Sequence, residues 1–239
     1  MPEKPPYRPS TSERSAPGAD TVLEVSKGPC PTLSWVEAGG IDVVLFDLGG
    51  VLVDVGGVGP MRKLSNVDSD EELWRRWLTC PWVRRFERGH CSAEDFAAGV
   101  VAEWDLAVTP EAFLDAFGSW PRGPLPGAAE LVSALRRSVT TGCLSNTNAV
   151  HWELHFSQWA IVDAFDFRFL SFELGMVKPD RELFDRVAAH LSVSKGRVLF
   201  LDDNTLNIEG AADAGFIALQ VRGVEETRNA LVALDLLDR

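Results

Sequence analysis

Four short segments carry the side chains with chemical potential, and each reads as the end of an apolar run or the turn beside one. Ile41 to Asp54 is IDVVLFDLGGVLVD. Its β-branched and aromatic first half suits a strand buried on both faces, and it stops at Asp47, followed after Leu48 by Gly49 and Gly50. Val198 to Asp203, VLFLDD, repeats that plan, with Asn204 and Asn207 behind the acids Asp202 and Asp203. In CLSNTN a strand from Val139 to Leu144 delivers Ser145 and Asn146, and in ELGMVKPD Lys178 stands just before Pro179. The carboxyl edge of an open α/β sheet is where ligands sit, so Asp47 is the candidate nucleophile. A carboxylate can attack a phosphoryl group to form an aspartyl-phosphate, but two anions repel and need a cation between them. Ser145 or Asn146 can donate to a phosphoryl oxygen, and Lys178 can neutralise charge as the transition state forms. Magnesium suits a carboxylate-and-phosphate site of this kind. Taken singly, each group has a plainer reading: a helix cap for the acid pair, a solvated loop lysine for Lys178, turn residues for Ser145 and Asn146.

The elements that must position these groups alternate. From Pro126 onward the pattern predicts a helix over 127–137, a strand over 139–144, a helix over 148–159, a strand over 165–169 and a helix over 180–191. A strand over 197–201, a helix over 204–214 closed by Gly215, a strand over 217–221 and a helix over 225–237 complete it. Such alternation favours a doubly wound parallel sheet, Rossmann-like, whose motif-bearing loops share one edge. Residues 41–56 and 122–239 are assigned to this α/β core. Residues 57–121 interrupt it with helical signals: Ser69 and Asp70 open one amphipathic stretch, Ser92 caps a second with Asp95 at its third position, and Pro110 begins a third. Five of the eight tryptophans fall in this insert, and Trp74, Trp77 and Trp104 are read as packing its own core rather than as a sugar-stacking platform.

The four motifs, in this order and spacing, resemble those of the haloacid dehalogenase-like (HAD) hydrolase superfamily. FDLGGVLVD, FERG followed by SAEDF, LSNTNAVH, LGMVKPD and FLDDNTLNIEGA are closest to the subgroup of the glucose-1-phosphate phosphatase and its sugar-phosphatase relatives. The resemblance implies that the insert is a helical cap that closes over the site and selects the leaving group. It also implies magnesium ligands at Asp47, the backbone carbonyl of Gly49 and Asp203, with Asp202 close by. The expected function is hydrolysis of small phosphomonoesters, sugar phosphates among them. One departure matters: most phosphatases of the superfamily carry a second aspartate where this chain has Gly49, acting as general acid and then as base. Asp54, a bound water or a cap residue such as His90 is expected to stand in, unless the protein is a non-catalytic phosphate binder or a metal-free dehalogenase; the acid pair argues against the last. Arg84, Arg85, Glu87, Arg88 and His90 are placed in a charged loop between cap helices, either facing the site with Arg84 or Arg85 on a substrate oxygen or, the plainer reading, simply exposed; Lys63 is set aside as a Schiff-base lysine, and His151 is left between pocket and helix surface.

Composition bounds the rest. A chain of 239 residues with 46% hydrophobic content buries a sizeable core, and a formal net charge of −12 leaves no basic stripe for nucleic acid, so the expected partner is a small phosphorylated metabolite. Oligomeric state is left open. Cys30, Cys80, Cys91 and Cys143 lack paired or metal-ligand spacing, which suggests reduced thiols in a cytoplasmic protein. No stretch is long and apolar enough for a membrane span. Residues 1–40, rich in Pro, Ser and Gly, are read as a flexible tail, with Leu33, Trp35 and Val36 as its one apolar cluster.

Overall fold

In the computed structural model, which describes residues 40–56, 59–65 and 67–238, the apolar runs form the expected strands. β1 (Val43–Phe46) is wholly buried and leads through a glycine turn to the two-residue β2 (Val53–Asp54). Then come α1 (Gly59–Leu64), α2 (Asp70–Thr79), α3 (Pro81–Glu87), α4 (Ala93–Trp104) and α5 (Pro110–Gly118). The chain returns through β3 (Gly123–Pro124) to α6 (Ala128–Leu135), β4 (Thr140–Ser145), α7 (Ala149–Leu154), β5 (Phe167–Leu170), α8 (Ser171–Leu174) and α9 (Arg181–Leu191). It ends with β6 (Val198–Asp202), α10 (Thr205–Ala214), β7 (Ile217–Gln220) and α11 (Gly223–Ala233).

The main sheet has the order β5-β4-β1-β6-β7 with every pair parallel. β1 is central: Phe46 pairs with Cys143 of β4 on one side and with Leu201 of β6 on the other. The chain builds outward from β1 to β4 and β5, then returns to lay β6 and β7 on the opposite flank. That reversal of direction at β1 is where open α/β sheets open a crevice for ligands. Leu45, Leu183, Phe184, Phe200 and Phe216 pack together on the sheet, each such side chain contributing about 1.5–3 kcal/mol on burial.

A second core lies among α1–α5, where Trp77, Phe86, Phe96, Phe113 and Phe117 form an aromatic cluster and the Phe86 and Phe96 rings stack 4.3 Å apart. Trp77 and Trp104 are buried in it, as expected, while Trp74 packs against its edge. Side chains of Ser69, Ser92 and Thr109 accept hydrogen bonds from the backbone N–H three residues on, so all three anticipated helix starts are capped. The two crossings between this helical insert and the sheet are tied to each other: β2 and β3 pair antiparallel, flanked by Arg122 N–H to Asp54 carbonyl at 2.7 Å and Leu125 N–H to Leu52 carbonyl at 2.8 Å.

Two local expectations change. Arg84, Arg85 and Glu87 lie on α3 rather than in a loop, because Pro81 at the first helical position, after an extended Cys80, starts a short helix of its own. The single helix expected over 148–159 stops at Leu154, where His155 leaves helical geometry and its Nε2 sits 2.7 Å from the Gly118 carbonyl; two 3₁₀ turns, Phe156–Gln158 and Ala160–Ala164, continue the path. Cys80, Cys91 and Cys143 are free thiols, and no helix among the described residues is long and apolar enough to cross a membrane. The tail expectation, with Leu33, Trp35, Val36 and Cys30, lies outside the described residues.

Candidate active site

Register brings the motifs to one edge. Asp47 follows β1, Ser145 closes β4 and Asp202 closes β6, and the Asp47 N–H donates to the Leu201 carbonyl at 2.8 Å. Lys178 arrives from the turn between α8 and α9. Its Nζ lies 2.8 Å from Asp47 Oδ1 and 2.7 Å from Asp202 Oδ2, with only 1% of the side chain exposed. Asn146 fixes the lysine's backbone: its Oδ1 accepts from Lys178 N–H at 2.8 Å and its Nδ2 donates to the Lys178 carbonyl at 3.1 Å. Asp202 is held in turn by Asn204 N–H at 2.8 Å and by Asn207 Nδ2 at 3.1 and 3.0 Å from its two oxygens. Both Asp202 oxygens accept hydrogen bonds, which tie it to Lys178 and to the first turn of α10.

The electrostatics of the cluster favour a divalent cation. Asp47, Asp202 and Asp203 each offer an oxygen within 4.8 Å of the others, facing a single ammonium. Burial pushes Asp47 up to about 7; Lys178 opposes this, and Asp202 and Asp203 add to it. Burial, then the charge of Asp202, raises Asp203 to about 6. Burial works against the charge on Lys178, but the carboxylates of Asp202 and Asp47 outweigh it and hold its pKa above the ordinary value. Carboxyls raised by burial and by one another's charge exchange protons for a hard cation with oxygen ligands. Asn207 Oδ1 is a further oxygen, buried with no donor. The residues therefore fit magnesium. Gly50 permits the approach: at φ +74° a Cβ there would lie 2.4 Å from Asp203 Oδ2.

Above this cluster is a cavity of about 320 Å³ between the sheet edge and the helices of the insert. Asp47, Gly49, Ser145, Asn146, Lys178 and Asp203, all singled out from sequence, line it, whereas the fully buried Asp202 sits behind Lys178. Thr147, which sequence reading passed over, also lines the cavity and has a buried hydroxyl with no partner. His151 reaches the cavity wall, but its Nε2 lies 2.7 Å from the Phe117 carbonyl and its Nδ1 3.3 Å from Asn148 Nδ2. Burial depresses it to about 4, so it is a neutral pin between α5 and α7.

At Gly49 no acid side chain exists, and a Cβ built there would meet Val55 at 3.5 Å. His90 is exposed and does not line the cavity, and Asp54 lines it with Oδ1 accepting from Gly56 N–H at 2.7 Å. Arg84, Arg85 and Lys63 do not line it either; Arg84 binds Asp180 at 2.6 and 2.7 Å. The carboxyl to which the sequence reading gave no role is Glu87, the last residue of α3, which lines the same cavity as Asp47 and Lys178. Burial pushes it up to about 7, against the pull of Lys178 and of the nearby Trp77 indole. Its place is secured on both sides. Arg84 and Arg88 bind Asp180, two residues beyond Lys178, and Gly89 at φ +68° lies so close to the Phe172 carbonyl that a Cβ would stand 2.7 Å from it. The signal available in sequence was the spacing of Arg84 and Arg88 around Glu87 in FERG.

The haloacid dehalogenase-like hydrolase model matches residues 41–215. The chain is 28% identical to D-ribitol-5-phosphate phosphatase of Bacteroides thetaiotaomicron over 80% of this chain and 97% of the relative. It is 26% identical to the sesquiterpene phosphatase astK of Aspergillus oryzae over 74% of this chain and 88% of the relative. The magnesium complex of the HAD family enzyme bt-2542 of Bacteroides thetaiotaomicron shares the fold, with a TM-score of 0.60 at 23% identity over 77% of this chain and 94% of that one. With the sheet order, the four motifs and the family match in agreement, this chain belongs to the haloacid dehalogenase-like hydrolases.

Proposed function

We propose that this protein is a magnesium-dependent phosphatase of small phosphomonoesters that works through an aspartyl-phosphate on Asp47. The observation that carries the reading is the buried Lys178 ammonium bridging Asp47 and Asp202, with Asp203 alongside, on the floor of an open cavity. Both relatives named above are phosphatases, which supports phosphoryl rather than carbon chemistry. Asp47, the backbone carbonyl of Gly49 and Asp203 would hold the ion, with Asp202 supporting them through Lys178. Bound there, magnesium neutralises charge on the phosphoryl oxygens.

The chain's own groups do the rest. Lys178 holds Asp47 Oδ1, which leaves Oδ2 to attack phosphorus. Ser145, with the free hydroxyl of Thr147, donates to the phosphoryl oxygens, and Asn146 keeps Lys178 in place. As the phosphorus–oxygen ester bond breaks, its electron pair stays on the leaving oxygen, which takes a proton from Glu87. Water then attacks phosphorus, the bond to Asp47 breaks with its pair returning to the carboxylate, and Glu87 takes the water's proton. A group near pKa 7 suits both steps at neutral pH. In this reading Glu87 takes the role that a second aspartate at Gly49 would have had, which favours catalysis over a binding-only protein.

The test is phosphate release from p-nitrophenyl phosphate and a panel of metabolite phosphates with and without magnesium. Release that requires the ion and vanishes in Asp47→Asn is expected; no release from any member contradicts the reading.

A further inference from the structure

Of the cavity's two halves, the floor is polar and the remainder is not. The insert contributes Met61, Leu73, Trp74, Leu78, Phe117 and Trp120 to the wall, and Trp77 beside them. Among the described residues of the insert that line the cavity, Glu87 alone carries a charge, and indole N–H groups are the only other side-chain polar atoms. From the core side, Val53, Val55, Leu125 and Phe156 continue the apolar surface. The polar groups that interrupt it are already engaged. His151 is held at both ring nitrogens, Asn148 Oδ1 accepts from the His151 N–H at 2.9 Å, and Asp54 is taken by Gly56 N–H and lies 3.5 Å from Arg122.

This lining discriminates between alcohols. A sugar or polyol phosphate would bring several hydroxyls into a space where almost none finds a partner, and each buried hydroxyl without one weakens binding about tenfold. An apolar alcohol of similar size instead removes its own surface and that of the partly exposed Trp74 and Trp120 rings from water. Building on the phosphatase reading, we infer that the substrate is the phosphate monoester of an apolar alcohol, a branched aliphatic or arylalkyl chain seated between α2 and α5, rather than a sugar phosphate. The reading narrows the expectation drawn from sequence, which had sugar phosphates among the candidates. It also gives Trp74, half-buried at the rim of the insert's core, a second face of use.

The test compares primary alkyl phosphates whose leaving oxygens are of nearly equal basicity, so that differences report on the cavity and not on the bond broken. Citronellyl, n-octyl and 2-phenylethyl phosphate form one arm; glucose 6-phosphate, ribitol 5-phosphate and glycerol 3-phosphate form the other. Acetyl phosphate reads the core reaction independently of any leaving-group pocket. The apolar arm is expected to exceed the polyol arm by at least tenfold in kcat/KM, and Trp74→Gln is expected to shrink that ratio about tenfold. Equal rates, or preference for the polyol arm, overturn the inference. Should acetyl phosphate also resist hydrolysis, the phosphatase reading fails by itself, and binding then decides the pocket's chemistry. In that case n-octylphosphonate raising the melting temperature well above the effect of a polyol phosphonate at equal concentration supports an apolar pocket, and equal shifts overturn it.

Discussion

Replacing Glu87 with glutamine separates the two consequences of placing a carboxyl in this cavity. Burial lifts the acid from an ordinary 4.5 to about 7, which at about 1.4 kcal/mol per pKa unit sets a ceiling of about 3.5 kcal/mol; the side chain is only half-buried, and screening by solvent brings that to roughly 2 kcal/mol. The sign follows from which state holds the proton. Below pH 4.5 the carboxyl is protonated folded and unfolded, and nothing is lost. Between 4.5 and 7 the unfolded chain ionises while the folded one does not, so stability falls as pH rises, and above 7 the loss is complete. Glutamine keeps the shape but never ionises. Urea denaturation in chelator should therefore find wild type and Glu87→Gln nearly equal at pH 4.5, with the variant about 2 kcal/mol more stable at pH 8. Activity should move the other way: kcat at pH 7 falls about 10²- to 10⁴-fold, and the alkaline limb of the rate profile near 7 disappears. A stability gap that does not change with pH, or a kcat within threefold of wild type, would refute the role given to this residue.

Three further substitutions probe the floor of the cavity. Lys178→Met leaves three clustered carboxylates without their ammonium and should cost about 3–5 kcal/mol in chelator, less at pH 5 than at pH 8 because Asp47 and Asp203 then carry protons, as read by denaturant titration. Gly50→Ala forces a Cβ onto Asp203 at a positive φ, so magnesium affinity by calorimetry should drop at least tenfold while the fold is retained. Gly49→Asp meets only ordinary contacts with Val55, so it should fold with a melting temperature within a few degrees of wild type. Placed on top of Glu87→Gln, it should recover at least tenfold in kcat if the missing function is proton transfer.

What could be read in advance was whatever follows from local pattern. β1, β4 and β6 announce themselves as β-branched runs ending in Asp47, Ser145 and Asp202, and a parallel sheet necessarily brings their carboxyl ends to one edge. The caps at Ser69 and Ser92 and the helix start at Pro110 were legible for the same reason, since each acts within its own turn. Glu87 was not, because its meaning comes from neighbours remote in the chain: Lys178 across the cavity, Asp180 gripping the arginines on either side, and the Phe172 carbonyl against Gly89. In isolation, FERG is a charged stretch and nothing more. The chemistry of the leaving-group wall was hidden likewise, as helix periodicity marks an apolar face without saying whether it packs on itself or on a ligand. Trp104 does the former and Trp74 serves both. The division of labour within the acid pair needed the hydrogen bonds: Asp202 is filled by Lys178, Asn204 and Asn207, whereas Asp203 reaches the cavity.

The most direct measurement of the central claim is a rapid acid quench of the enzyme mixed with magnesium and a ³²P-labelled phosphomonoester, followed by peptide mapping. Label on the peptide bearing Asp47, lost when magnesium is withheld and absent in Asp47→Asn, is the expected result. Turnover that proceeds at full rate in Asp47→Asn, or label carried by a different residue, would contradict it.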